Sequence, residues 1–120
     1  MKNVLVADDK ATSRELIRTV LEQSGHAVFE ASDGMEAVRS AREILPDLIV
    51  LDLHMPALDG FRVLEELRRD ERFTATPIVA LTASVMQGDR ERALSAGFTS
   101  YIAKPISLNA LRGEMERLLG

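Results

Sequence analysis

Five short apolar runs constrain this chain more than any other feature. None has the length of an ordinary helix, and none alternates cleanly with polar residues. They lie at residues 4–7, 27–31, 48–51, 78–81 and 101–103. Runs of this kind predict strands covered on both faces, the condition of a parallel sheet. Parallel neighbours cannot be joined by tight turns, so each connection has to be a crossover of about a dozen residues or more.

The intervening segments carry helical spacing. The first presents Leu16, Ile17, Val20 and Leu21 on one face, with Thr12 and Glu15 at capping-box spacing. The second covers about residues 35–45 and is opened by Asp33 and Gly34. The third carries Phe61, Leu64 and Leu67, and the fourth ends at Gly97, a residue suited to a left-handed cap. The fifth, opened by Ser107, presents Leu108, Leu111, Met115 and Leu118. Residues 68–75, "RRDERFTA", read as a helix end and a solvated loop. Five strand–helix units in strict alternation predict one α/β domain over residues 1–120, a doubly wound sheet with helices on both faces.

Composition removes several functions. An apolar fraction of 46% with interspersed charges describes a globular domain. No run approaches the roughly 20 apolar residues of a membrane span, and no signal pattern opens the chain, so a cytoplasmic protein is expected. There is no cysteine, which excludes disulfides, thiolate metal sites and thiol catalysis. The net charge of −4, with no basic stripe, argues against nucleic acid as a direct partner. Lysine occurs only at Lys2, Lys10 and Lys104, which makes the place of Lys104 a question.

The answer lies at the ends of the runs. The first ends in Asp8 and Asp9, the third in Asp52, the fourth in Thr82, and the fifth is followed by Lys104. In a parallel sheet all these ends share one rim. A flavodoxin-like strand order, 2-1-3-4-5, reverses its winding between strands one and three, where open α/β sheets bind ligands. Those two strands carry the acids. Singly, each residue has a plain reading: an Asp ending a strand is a turn or cap, Thr82 a β-branched strand residue, Lys104 a surface amine. His26 and His54 read as exposed loop residues, with no second ligand at metal spacing. The joint occurrence at four of five strand ends favours a site.

Electrostatics then specifies its contents. Two carboxylates about 4 Å apart repel by about 4 kcal/mol at an effective dielectric near 20. Three such pairs approach about 10 kcal/mol, the stability of a whole domain. An all-oxygen ligand set favours a hard divalent ion, and a small, partly hydrated site suits Mg²⁺. Three carboxylates, a divalent ion and Lys104 sum to zero charge. Such a site can accept a phosphoryl group, with one carboxylate as nucleophile.

With "VADD", "LDLHMPALDG", "LTAS" and "YIAKP" each closing its expected strand, the sequence resembles the receiver domain of two-component response regulators over essentially all 120 residues. The resemblance implies that Asp52 is phosphorylated by a histidine kinase or a histidine phosphotransfer protein. It implies that Asp8, Asp9, Asp52 and the backbone carbonyl of His54 hold Mg²⁺. Thr82 would bind a phosphoryl oxygen, Lys104 would pair with the phosphoryl group, and Pro105 would fix its loop, often through a cis peptide. Tyr101 matches the aromatic that changes rotamer on activation, altering the surface of the fourth helix, fifth strand and fifth helix for a downstream protein. His54 and Ser84 flank the route of water to the phosphoryl group, and Lys10 occupies a variable position. On this reading the protein is a signalling switch that catalyses only its own phosphorylation and dephosphorylation, a monomer or weak dimer. The chain ends one residue after the fifth helix, so either a stand-alone receiver of the chemotaxis-regulator kind or a piece of a longer protein is expected, and Met1 opening the first strand favours the former.

Two other functions compete. A metal-dependent phosphohydrolase with an aspartyl nucleophile would want a second acid two residues after Asp52, where His54 stands. A flavodoxin-like nucleotide or flavin binder would need a phosphate cradle, and "DDKATSR" lacks the glycines for one.

Overall fold

The computed structural model describes residues 1–83 and 87–120. The strands are β1 (Asn3–Ala7), β2 (Ala27–Ala31), β3 (Leu48–Asp52), β4 (Ile78–Thr82) and β5 (Ser100–Ala103). They alternate with α1 (Ala11–Gln23), α2 (Gly34–Ile44), α3 (Gly60–Arg68), α4 (Gln87–Ala96) and α5 (Leu108–Leu119). All pairings are parallel and the order is β2-β1-β3-β4-β5, as the sequence predicts.

Strand periodicity divides the core in two, because successive side chains point to opposite faces. Leu5, Ala7, Ile49, Leu51, Ile78 and Ala80 face one side, against Val38 and Ala41 of α2, Val63 and Leu67 of α3, and Ala93 of α4. Val4, Val6, Leu48, Val50, Val79 and Leu81 face the other, against Ile17 and Leu21 of α1 and Leu111 and Met115 of α5. The central strands β1, β3 and β4 are almost wholly buried, which is why their sequences show no alternation.

Several local expectations are corrected. Strand β2 is an edge strand, with no strand beyond it among the described residues, and Phe29 is left 39% exposed. The Thr12–Glu15 capping box does not cap: α1 begins at Ala11, Lys10 is its N-cap, and no side chain caps it. The Lys10 N–H instead donates back to Asp8 Oδ1 at 2.9 Å, so the turn after β1 sets where the helix starts. Helix α2 stops at Ile44, and Leu45 takes the left-handed cap position at φ 51°. Leu108 is exposed at the first turn of α5. Residues 71–73 form a 3-10 turn that buries Phe73 in the core, where a solvated loop is expected from the charges around it.

The remaining caps follow the sequence. Asp33 accepts the Glu36 N–H at 2.8 Å and Ser107 accepts the Ala110 N–H at 3.3 Å. Gly97, at φ 118°, follows α4 in the left-handed region.

Candidate metal and phosphoacceptor site

Because all five strands run the same way, their C-terminal ends form one rim, and the predicted residues meet there. Carboxylate oxygens of Asp8, Asp9 and Asp52 lie within 4.8 Å of one another. Asp8 is fully buried and Asp52 nearly so, while Asp9 is exposed. Lys104 Nζ is inserted against this cluster, 2.8 Å from Asp8 Oδ2 and 3.4 Å from Asp52 Oδ2. The lysine is therefore a partner of both buried acids, and the plain reading as a surface amine falls.

Each of the two buried acids is held by backbone. Asp8 Oδ1 accepts the Lys10 N–H, and Asp52 Oδ1 accepts the His54 N–H at 3.1 Å. Asp8 Oδ2 is buried and is paired with the Lys104 ammonium at 2.8 Å, without a hydrogen bond of good geometry. Burial pushes the Asp52 carboxyl above the usual carboxylate range; the His54 N–H and Lys104 oppose this, and the Asp8 charge adds to it. Burial works against the charge of Lys104, yet Asp8 and Asp52 together raise its pKa.

This geometry fits a hard divalent cation. Three converging carboxylates carry −3 and Lys104 supplies +1, so a charge of −2 remains. The donor set is all oxygen. Asp8 Oδ2, buried without a hydrogen bond and with the Lys104 ammonium 2.8 Å away, is an acceptor that a cation could satisfy.

The other predicted residues sit around the cluster. Thr82, fully buried, ends β4, and the Lys104 N–H donates to its carbonyl at 2.7 Å. The His54 side chain is exposed. Pro105 follows Lys104 through a cis peptide bond. Tyr101 lies in β5 opposite Ala80, half-buried against the core on the α2–α3–α4 face. Ser84 lies outside the described residues.

Three contacts go beyond the sequence motifs. A Cβ on Gly60 would come within 2.5 Å of the Asp52 carbonyl oxygen, so only glycine lets α3 begin against the backbone of β3. A Cβ on Gly34 would lie 1.8 Å from the Leu58 carbonyl, which presses the start of α2 onto the loop after β3. The available signal was a glycine twice in the first helical position, after Asp33 and Asp59, where better helix formers are usual. Arg14 Nη1 donates to the Asp8 carbonyl at 2.7 Å, and nothing in its spacing announces that.

Comparison with known proteins agrees with this geometry. The response regulator receiver domain profile matches residues 4–116. The polar-differentiation response regulator DivK of Brucella ovis is 36% identical over 119 residues, spanning 99% of this chain and 97% of DivK. The chemotaxis response regulator CheY4 of Vibrio cholerae superposes with a TM-score of 0.93 at 29% identity, covering 98% of each chain. The receiver domain of a sensor histidine kinase of Pseudomonas aeruginosa PAO1, solved with a magnesium ion coordinated in its active-site cleft, gives a TM-score of 0.90 at 37% identity. That match covers 99% of this chain and 98% of the other. By its profile, its relatives and its strand-end site, this chain belongs to the response regulator receiver domains of two-component signalling.

Proposed function

We propose that the protein is a Mg²⁺-dependent phosphoacceptor switch in which Asp52 takes a phosphoryl group from a phosphohistidine donor. The observation that carries this is the convergence of three carboxylates with Lys104 between the two buried ones. Asp8, Asp9, Asp52 and the His54 carbonyl would hold the ion; the Pseudomonas relative has a magnesium ion coordinated in its active-site cleft, which supports a magnesium site in this family. Bound there, Mg²⁺ supplies positive charge to the oxygens of the transferring phosphoryl group.

The chain's own residues do the rest. An Asp52 carboxylate oxygen attacks phosphorus, forming a C–O–P linkage. The P–N bond of the donor breaks, and its electron pair stays on the imidazole nitrogen. Burial of Asp52 removes competing water from the nucleophile. Lys104, tethered at the rim, balances charge on the phosphoryl oxygens, and the hydroxyl of Thr82 hydrogen-bonds one of them. The Pro105 ring restricts the backbone that carries Lys104. Rearrangement of Thr82 and Tyr101 then reshapes the α4–β5–α5 surface for a downstream protein. The protein acts as a switch and turns over only its own phosphoryl group. Among the described residues no helix is long and apolar enough to cross a membrane, which is compatible with a cytoplasmic place of action.

Intact-mass spectrometry after incubation with acetyl phosphate tests the assignment. One added phosphoryl group is expected, dependent on Mg²⁺ and absent from Asp52→Ala. Undiminished labelling of Asp52→Ala would overturn it, and steady turnover of a phosphomonoester would favour a phosphohydrolase.

A further inference from the structure

Of the three acids, Asp9 is the one whose side chain is exposed, and among the described residues no hydrogen bond or ion pair holds it. Asp8 and Asp52 are fixed by burial and by backbone donors. An exposed carboxylate can coordinate a cation in a defined direction only if the backbone beneath it is fixed. The direction of the Asp9 carboxylate therefore depends on the backbone of Asp8 that leads into it.

The backbone of Asp8 is held on both of its peptides, and the one leading to Asp9 is held by Arg14. The Asp8 N–H donates to the Ala31 carbonyl at the end of β2, at 3.1 Å. The Asp8 carbonyl accepts Arg14 Nη1 at 2.7 Å, reached from one turn into α1. Arg14 is itself fixed, because its Nε donates to Glu30 Oε1 at 2.9 Å. The second oxygen of Glu30 accepts Arg18 Nη1 at 2.6 Å, and Arg18 Nε reaches Glu22 at 3.2 Å. Two guanidinium groups and two carboxylates thus form a neutral chain from the surface of α1 to the metal-site backbone. Arg14 keeps only 17% of its side chain exposed and Glu30 27%, so the link next to the site is partly shielded from solvent.

We propose that Arg14 is a positioning residue for the cation site: fixed by Glu30, it holds the Asp8 carbonyl and so aims the Asp9 carboxylate. This rests on the magnesium site proposed above. Positioning and bare charge predict opposite signs. A cation beside an acid cluster repels Mg²⁺, so removing the Arg14 charge by itself should tighten binding. Loss of an outer contact that orients a ligand should weaken it, by about tenfold at the low end of such effects.

The experiment is titration of the unphosphorylated full chain with MgCl₂, followed by amide chemical shifts, with thermal melting of each variant in parallel. Arg14→Met is expected to weaken Mg²⁺ binding about tenfold. Arg14→Lys retains the charge but lacks the fork that reaches Glu30 and the carbonyl together, so an intermediate loss is expected. In an Asp9→Asn background, Arg14→Met should add little, since the group it aims is no longer a charged ligand. Unchanged or tighter binding in Arg14→Met, or full additivity with Asp9→Asn, would overturn the proposal. A lowered melting temperature with wild-type Mg²⁺ affinity would do the same, since that marks a purely structural role. Should Arg14→Met fail to fold, Arg14→Lys and its combination with Asp9→Asn decide the matter by the same criteria. If Asp9→Asn weakens binding and the Arg14 variants do not, only the positioning role falls. If the wild-type chain shows no saturable Mg²⁺ binding, the metal-site reading falls with it.

Discussion

Replacing Asp8 with Asn should make the metal-free protein more stable and less responsive to Mg²⁺. In the structure the carboxylate of Asp8 attracts Lys104 across 2.8 Å and repels Asp9 and Asp52 at distances up to 4.8 Å. At an effective dielectric near 20, the attraction is about 6 kcal/mol and the two repulsions together about 7 kcal/mol. These nearly cancel. The balance is tipped by burial: Asp8 is fully enclosed, and its Oδ2 has no hydrogen bond to offset the loss of water. Asparagine sheds that charge, keeps an acceptor for the Lys10 N–H, and leaves Lys104 paired with Asp52. A gain of about 1–2 kcal/mol follows, or about 4–8 °C in Tm for a domain of this size. Mg²⁺ should act in the opposite sense. At a hundred times its Kd a ligand adds about 2.7 kcal/mol to wild type, and much less to a variant that has lost a ligand. Thermal melting by circular dichroism, with EDTA and across a Mg²⁺ series, measures both effects. Equal Mg²⁺ shifts in wild type and Asp8→Asn would exclude Asp8 from the metal site. A lower metal-free Tm in the variant would show that the Lys104 attraction outweighs repulsion and burial.

Thr82→Ala should still accept a phosphoryl group at Asp52 but transmit it poorly. Amide shift changes on adding beryllofluoride would then be small at Tyr101 and in α5, and shifts as large as wild type's would refute the coupling. Gly60→Ala should destabilise the fold by about 1–3 kcal/mol, as overpacking does, because its Cβ would lie 2.5 Å from the Asp52 carbonyl oxygen. Urea unfolding measures this, and a neutral effect would mean that α3 can shift freely against β3. The Asp70 carboxyl, held down to about 2 by its side-chain and backbone bonds with Arg72, should show that value by NMR titration. Since its folded pKa is depressed, its contribution to stability is present above the unfolded value of 3.8 and is lost as pH falls toward about 2. Arg72→Gln should move the titration back up, and an unmoved midpoint would show that Arg72 is not the cause.

What the sequence revealed and concealed follows from the range of each interaction. The strand order and the convergence of Asp8, Asp9, Asp52 and Lys104 were legible because strand ends in a parallel sheet share a rim whatever the details of packing. The exposure of Phe29 and Leu108 was not, since a residue's own periodicity cannot say whether its element lies at an edge. Phe73 was concealed by its neighbours: the charged run that leads into it, residues 68–72, reads as solvent, while a 3-10 turn points the ring inward. The capping box misled because the Asp8 carboxylate takes the Lys10 N–H and draws the helix start back to Ala11. Arg14 was hidden for the same reason, its acceptor being a backbone carbonyl, which carries no sequence signature.

The backbone contacts also explain how so unfavourable a site can be rigid. Three carboxylates within 4.8 Å of one another push their loops apart, and one lysine offsets only part of that push. Something neutral has to hold the loops. Next to each site residue, a sheet hydrogen bond continues past the regular ladder: Asp8 N–H to Ala31 at 3.1 Å, Leu53 N–H to Leu81 at 2.9 Å, and Lys104 N–H to Thr82 at 2.7 Å. The Gly60 N–H then returns to the Leu53 carbonyl at 3.1 Å, with its Cα against the backbone of Asp52. None of these bonds depends on the charge state of an acid, so binding of a divalent cation can change the charge by two units, and phosphorylation of Asp52 by about one, without removing the framework. The repulsion is thereby kept as a local property of the side chains, available to favour an incoming cation, and does not relax into a loosened rim.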